Sequence, residues 1–144
     1  MSTALMRMRC PGAAALGLAT LAGWRFVVNP DGVGSLQPWP GALVHGVLWR
    51  VGMRDLAAIN AYESLDSGLY LRRVFSVQHG SERTPALAFV ARRLGQGRPR
   101  PGYITVVVEA AREWELPQAY IRSLQRWSPS AWRGARNKDT GELG

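Results

Sequence analysis

The stretch that decides the fold runs from Leu43 to Tyr70 and falls into three pieces: Leu43–Val51 (LVHGVLWRV), Met53–Glu63 (MRDLAAINAYE) and Ser67-Gly68-Leu69-Tyr70. Val44, Val47 and Trp49 make the first piece the clearest strand on its side of the chain. The second reads as a helix. Asp55 sits in its first turn, where a negative charge suits the helix dipole, and Leu56, Ile59 and Glu63 recur at i, i+3 and i+7. Glu63 therefore shares the apolar side of that helix. A carboxylate held against a core is costly when ionised, so its pKa tends to rise, as a general base working near neutral pH requires. On periodicity alone the competing reading is a helix-terminal glutamate that swings into solvent or pairs with Arg72 or Arg73.

Upstream, Ser2 is positioned to cap a short helix ending at Arg9, which Pro11-Gly12 stops. Ala13–Ala22 and Trp24–Val28 read as two strand-like runs, followed by the turn Asn29-Pro30-Asp31-Gly32. Gly34–Trp39 is a short run that Pro38 and Pro40 confine to a sheet edge or a loop. Downstream, Leu69–Val77 and Ala86–Ala91 are strand-like, with a polar turn from His79 to Thr84 between them. Gly95–Gly102 is too rich in glycine and proline for regular structure. Ile104–Val108 has the composition of a strand, yet Ile104, Val107, Val108 and Ala111 fit one helical face. The charged continuation Glu109–Glu115 favours a helix, and Pro117 begins another that runs to Trp127. Short strands, one inserted helix and two closing helices predict an α+β domain with a curled antiparallel or mixed sheet.

The 144 residues suit one domain, and 47% hydrophobic with 19% charged residues is the balance of a folded protein. The net charge of +8 comes from arginine, since Lys138 is the only lysine. The arginines are scattered as pairs (Arg72/Arg73, Arg92/Arg93, Arg98/Arg100) rather than set in a stripe, which argues against a nucleic-acid partner. Cys10 is the single cysteine, so it forms no internal disulfide and reads as a small packing residue. His45 and His79 lack ligand spacing, so no metal is expected. Arg7 and Arg9 before Ala13–Ala22 imitate a signal peptide weakly, because Pro11, Gly12 and Gly17 break the apolar run and Thr20-Leu21-Ala22 is a poor cleavage site. No stretch approaches the ~20 apolar residues of a membrane span. The expectation is a cytoplasmic protein without a membrane partner.

Val44-His45-Gly46-Val47-Leu48-Trp49, the helix to Tyr62-Glu63, and Ser67-Gly68-Leu69-Tyr70 together resemble the gamma-glutamylcyclotransferase-like (AIG2-like) family. There a "V-x-G-x-(L/V)-(W/Y)" strand leads into a helix ending in the catalytic glutamate, then a "G-x-Y" strand start. Tyr103, Glu109-Ala110-Ala111 and Glu115-Leu116-Pro117-Gln118-Ala119-Tyr120 are similar to the family's closing helices around "G-L-P-x-x-Y". Arg9-Cys10-Pro11-Gly12-Ala13 and Ala22-Gly23-Trp24-Arg25-Phe26 fit its earlier helix end and strands. The resemblance covers residues 1–127, leaving 128–144 as a tail expected to be disordered from about Gly134.

The resemblance implies a small, partly closed β-barrel of mixed or antiparallel strands with flanking helices. It implies a cyclotransferase without a cofactor, in which Glu63 takes a proton from the α-amine of a γ-glutamyl peptide or amine. That amine closes onto its own γ-carbonyl and 5-oxoproline leaves. Tyr103 and Tyr70 match tyrosines that contact substrate, aromatic packing being the other reading of both, and Phe89 stands where some relatives have a third tyrosine. Glu63 is expected to be buried beside a cavity near Tyr70 or Tyr103. The family's substrate loop, "Y-G-S-N-(L/M)", would end at Met1, so that loop and its strand are expected in frame upstream, the other reading being a protein that lacks the loop, and the chain from Met1 is expected to show little activity alone. The alternatives are a non-catalytic member that binds a small ligand and, further off, a basic nucleic-acid-binding protein.

Overall fold

The computed structural model describes residues 3–62 and 70–128. Its elements are α1 (Thr3–Arg9), β1 (Ala14–Val28), β2 (Gly34–Arg50), α2 (Met53–Tyr62), β3 (Tyr70–His79), β4 (Glu82–Ala91), α3 (Tyr103–Glu113) and α4 (Gln118–Gln125). The sheet has the order β2-β1-β3-β4, with each neighbouring pair antiparallel.

Two runs expected to be separate strands form one. The 15-residue β1 passes through both and absorbs the break as irregularities between Ala15 and Gly17 and between Ala22 and Trp24. Gly17 and Gly23 have positive φ at these points (126° and 81°), so the strand bends without ending. Its partner β2 is likewise one strand of 17 residues, Pro38 and Pro40 included. Because β2 lies at the sheet edge, the amide hydrogens that the prolines lack are not needed by a further strand.

The β1–β2 turn is organised by Asn29, which is 1% exposed. Its Oδ1 accepts hydrogen bonds from the N–H groups of Asp31 (3.1 Å) and Val33 (3.3 Å), and its Nδ2 donates to the carbonyl of Arg93 (3.3 Å). The glycine-rich loop after β4 is pinned onto the same turn, since Gly97 N–H donates to Val28 and Arg100 N–H to Gly32, both at 2.9 Å.

β3 and β4 form a ten-pair hairpin around Gly80-Ser81, a tighter turn than the His79–Thr84 segment expected. Only Thr20↔Gln78 pairs β1 with β3 in the ladder, so the two hairpins splay from a narrow junction. At the other end the sheet curls until its outer strands meet: Ala91 N–H in β4 donates to Ser35 Oγ in β2 at 2.9 Å. The result is a partly closed antiparallel sheet.

The main core lies under α3 and α4, where Val28, Ile104, Val108, Ala111, Leu116, Ile121 and Leu124 are buried together. This resolves the ambiguity of Ile104–Val108. The i, i+4, i+7 face of Ile104, Val108 and Ala111 is covered by α4 and β1, and that burial outweighs the β preference of the branched side chains. α3 ends in a Schellman turn: Leu116 N–H reaches the Ala111 carbonyl, Glu115 N–H reaches that of Arg112, and Glu115 itself adopts φ 53°. Buried Leu116 is the apolar contact that accompanies the motif, and Pro117 then starts α4.

Candidate active site

Between the curled sheet and the pair α1/α2 lies a cavity of about 650 Å³. Leu56 and Ile59 of α2 form part of its wall, as the helical spacing of that face requires. Val47 and Trp49 of β2, Phe75 of β3 and Phe89 of β4 complete an apolar lining, to which Arg9 of α1 brings a guanidinium. Among the described residues the lining contains no carboxylate. The indole Nε1 of Trp49 is buried, with no hydrogen-bond partner among the described residues. A buried donor of this kind favours occupation by a molecule carrying an acceptor.

Glu63 lies outside the described residues, immediately after the last residue of α2, and so do Ser67, Gly68 and Leu69. The Ser2 cap and the tail from residue 129 fall outside them too. Tyr70 is the first residue of β3 and Tyr103 the first of α3, each half-buried. Neither lines the cavity that Leu56 and Ile59 line. Tyr103 packs instead against the α3/α4 core, and its hydroxyl accepts a hydrogen bond from Gly34 N–H at 2.9 Å.

Two edge-on tryptophan contacts brace the sheet. Trp114 packs edge-on against Trp49 at 6.0 Å between ring centres, and Trp24 edge-on against Phe75 at 5.0 Å. Trp49 is also cavity wall, a role that sequence reading missed. Its neighbours Gly46, Val47, Leu48 and Val51 line the same space.

Cys10 is 1% exposed and donates weakly to the Asp55 carbonyl at 3.5 Å, tying α1 to α2. Burial, with the Asp55 carboxyl nearby, pushes its thiol up, while Arg9 opposes that shift. His45 sits inside β2 against the Tyr120 ring (4.7 Å), and burial pushes its pKa down. His79 Nδ1 lies 3.0 Å from the Leu18 carbonyl. Several arginines have structural partners. Arg93 pairs with Asp31 at 3.2 Å, Arg100 donates to the Asp31 carbonyl at 3.0 Å, and Arg73 lies over Trp24 at 4.8 Å. No described helix is long and apolar enough to cross a membrane.

Residues 43–124 match the AIG2-like family. The chain is similar to the gamma-glutamylcyclotransferase of Mus musculus, with 28% identity over 72% of this chain and 55% of that one. With the gamma-glutamylcyclotransferase of Bos taurus it shares 25% identity over 78% of this chain and 60% of that one. It thus spans little more than half the length of these relatives. The solved structure of a gamma-glutamyl cyclotransferase superposes with a TM-score of 0.80 at 22% identity, covering 88% of this chain and 82% of that chain. This last likeness bears on the fold, including the partly closed sheet.

Proposed function

The chain belongs to the AIG2-like family, and from that premise we propose that it is a γ-glutamyl cyclotransferase with Glu63 as its general base. The observation that carries this reading is the cavity wall formed by Leu56 and Ile59. Glu63 follows Ile59 by four residues, the spacing that puts two residues on one face of a helix. The similar mouse and bovine proteins carry the name of this activity.

In the proposed reaction Glu63 removes a proton from the α-ammonium of a γ-glutamyl substrate. The freed amine attacks the γ-carbonyl and a five-membered ring closes. The tetrahedral intermediate then breaks its bond to the partner nitrogen, which takes the proton held by Glu63, while the second proton of the ring nitrogen passes to the Glu63 carboxylate so regenerated. The products are 5-oxoproline and that amine. Nucleophile and electrophile belong to one molecule, so the protein's main task is to hold a bent conformer, and orientation is worth about 7–11 kcal/mol in favourable cases. The apolar lining favours a water-poor site in which a carboxylate is a stronger base. Tyr70 and Tyr103 are proposed substrate contacts on the family resemblance alone, and the bond of Tyr103 to Gly34 assigns its hydroxyl a structural task as well.

The test is 5-oxoproline release from a panel of γ-glutamyl dipeptides and amines, using the protein extended upstream through a Tyr-Gly-Ser-Asn loop. Glu63→Gln keeps the shape but not the basicity. Turnover is expected to fall by about 10²–10⁴, with folding and substrate binding retained. Full activity in the Gln variant removes Glu63 as the base. Silence of the parent protein on every substrate, with binding still detectable, favours a ligand-binding member of the family.

A further inference from the structure

A second concavity, of about 480 Å³, lies away from the α1/α2 cavity, where the outer parts of β1 and β2 meet the end of α4. Its volume falls within the ~300–1,000 Å³ of small-molecule sites. Arg25 of β1 and Arg126 at the end of α4 line it, and no acidic residue is among its described lining. Arg25 is held in place: its Nε donates to Gln37 at 2.9 Å and its guanidinium lies 3.7 Å from the centre of the Trp39 ring. Its two Nη nitrogens remain for an outside acceptor. Arg126 has no acidic partner among the described residues.

The walls are aromatic, formed by Phe26, Tyr120 and Trp127, with Phe26 and Trp127 edge-to-face at 6.4 Å. Polar groups are few. Gln96 offers an amide, and Ser123, whose hydroxyl donates to the Tyr120 carbonyl, offers oxygen lone pairs. Two uncompensated guanidiniums suit a dianion, and a phosphate monoester carries about −1.5 to −2 at pH 7. Aromatic walls suit a flat ring. A single carboxylate would leave one guanidinium unmatched.

We propose that this groove binds a nucleoside monophosphate, its phosphate between Arg25 and Arg126 and its base against the aromatic wall. The site is separate from the cavity assigned to Glu63 and does not depend on that reading.

The experiment is calorimetric titration of the full chain with adenosine 5′-monophosphate, and with inorganic phosphate and adenosine as separate arms. Saturable one-to-one binding of the nucleotide is expected, with phosphate and adenosine each weaker by about tenfold or more. Arg126→Glu, a change at the exposed end of α4, is expected to weaken nucleotide binding by about tenfold or more while circular dichroism stays unchanged. Trp127→Ala is expected to reduce the discrimination between nucleotide and phosphate. Lack of saturation by the nucleotide, equal affinity for inorganic phosphate, or unchanged affinity in a folded Arg126→Glu protein each overturns the proposal.

Discussion

The hydroxyl of Tyr103, at the first position of α3, accepts a hydrogen bond of 2.9 Å from the backbone N–H of Gly34, at the first position of β2. The two residues are 69 apart in sequence, and the bond ties the start of the outer strand to the helical core. A side chain at position 34 would collide with both rings that enclose it, since a Cβ there would lie 2.6 Å from Tyr103 Oη and 2.7 Å from a Phe26 ring carbon. Tyr103→Phe removes the acceptor and leaves the Gly34 N–H unsatisfied, at a cost of about 1–3 kcal/mol. Gly34→Ala is expected to cost at least as much, because neither ring is free to step aside. Urea denaturation of both variants checks this, and a Phe variant as stable as the parent would show that water satisfies Gly34.

Asn29 is expected to be among the most sensitive polar positions. Asn29→Ala strips the partner from the N–H groups of Asp31 and Val33 and from the Arg93 carbonyl in one step. A loss of about 2–4 kcal/mol is expected, with faster hydrogen exchange at Asp31, Val33 and Gly97. A change confined to the turn amides, with Gly97 still protected, would show that the loop docks without Asn29.

Glu115 offers a stabilising change. It is exposed and held at φ 53°, where an L-residue with a Cβ is strained by about 1–2 kcal/mol. Glycine relieves that strain and gives back about 0.5–1 kcal/mol in unfolded-state entropy. Strain relief is the larger effect, so Glu115→Gly is expected to raise the melting temperature by a few degrees. Glu115→Ala keeps the Cβ and is expected to give no gain, and equal melting temperatures for the two variants would remove the strain argument.

Stability should fall on both sides of neutrality. Burial against Tyr120 holds the folded His45 below its ordinary 6.5, so the unfolded chain binds the proton more readily. The stabilisation is complete above about pH 6.5 and is lost as pH falls toward the folded pKa. His45→Phe is expected to flatten this acid limb. Burial pushes Tyr120 up to about 12, with the backbone N–H of His45 partly opposing it. Its contribution is complete below pH 10 and is lost as pH rises toward about 12. Denaturation midpoints across pH, with and without His45→Phe, provide the check, and an unchanged acid limb would assign it to other groups.

The amino-acid sequence by itself determined most of the local elements and their type. The 3.6-residue spacing of Leu56 and Ile59 marked a helix face, and that face does line a cavity. The strand composition of Leu43–Val51 and the glycines and prolines of 95–102 were equally direct, because each acts within a few residues of chain. Only tertiary structure decided whether interrupted runs were one strand or two. Gly23 permits either outcome, and pairing along β2 selects the continuous one. It also settled Ile104–Val108, whose composition favours a strand until α4 and Val28 cover one helical face. The place of Tyr103 was illegible for the same reason, since its partner Gly34 is distant in sequence and glycine carries no side chain to signal the contact. Spacing records which residues share a face. What that face meets depends on surfaces brought together by the rest of the chain, and no local pattern encodes them.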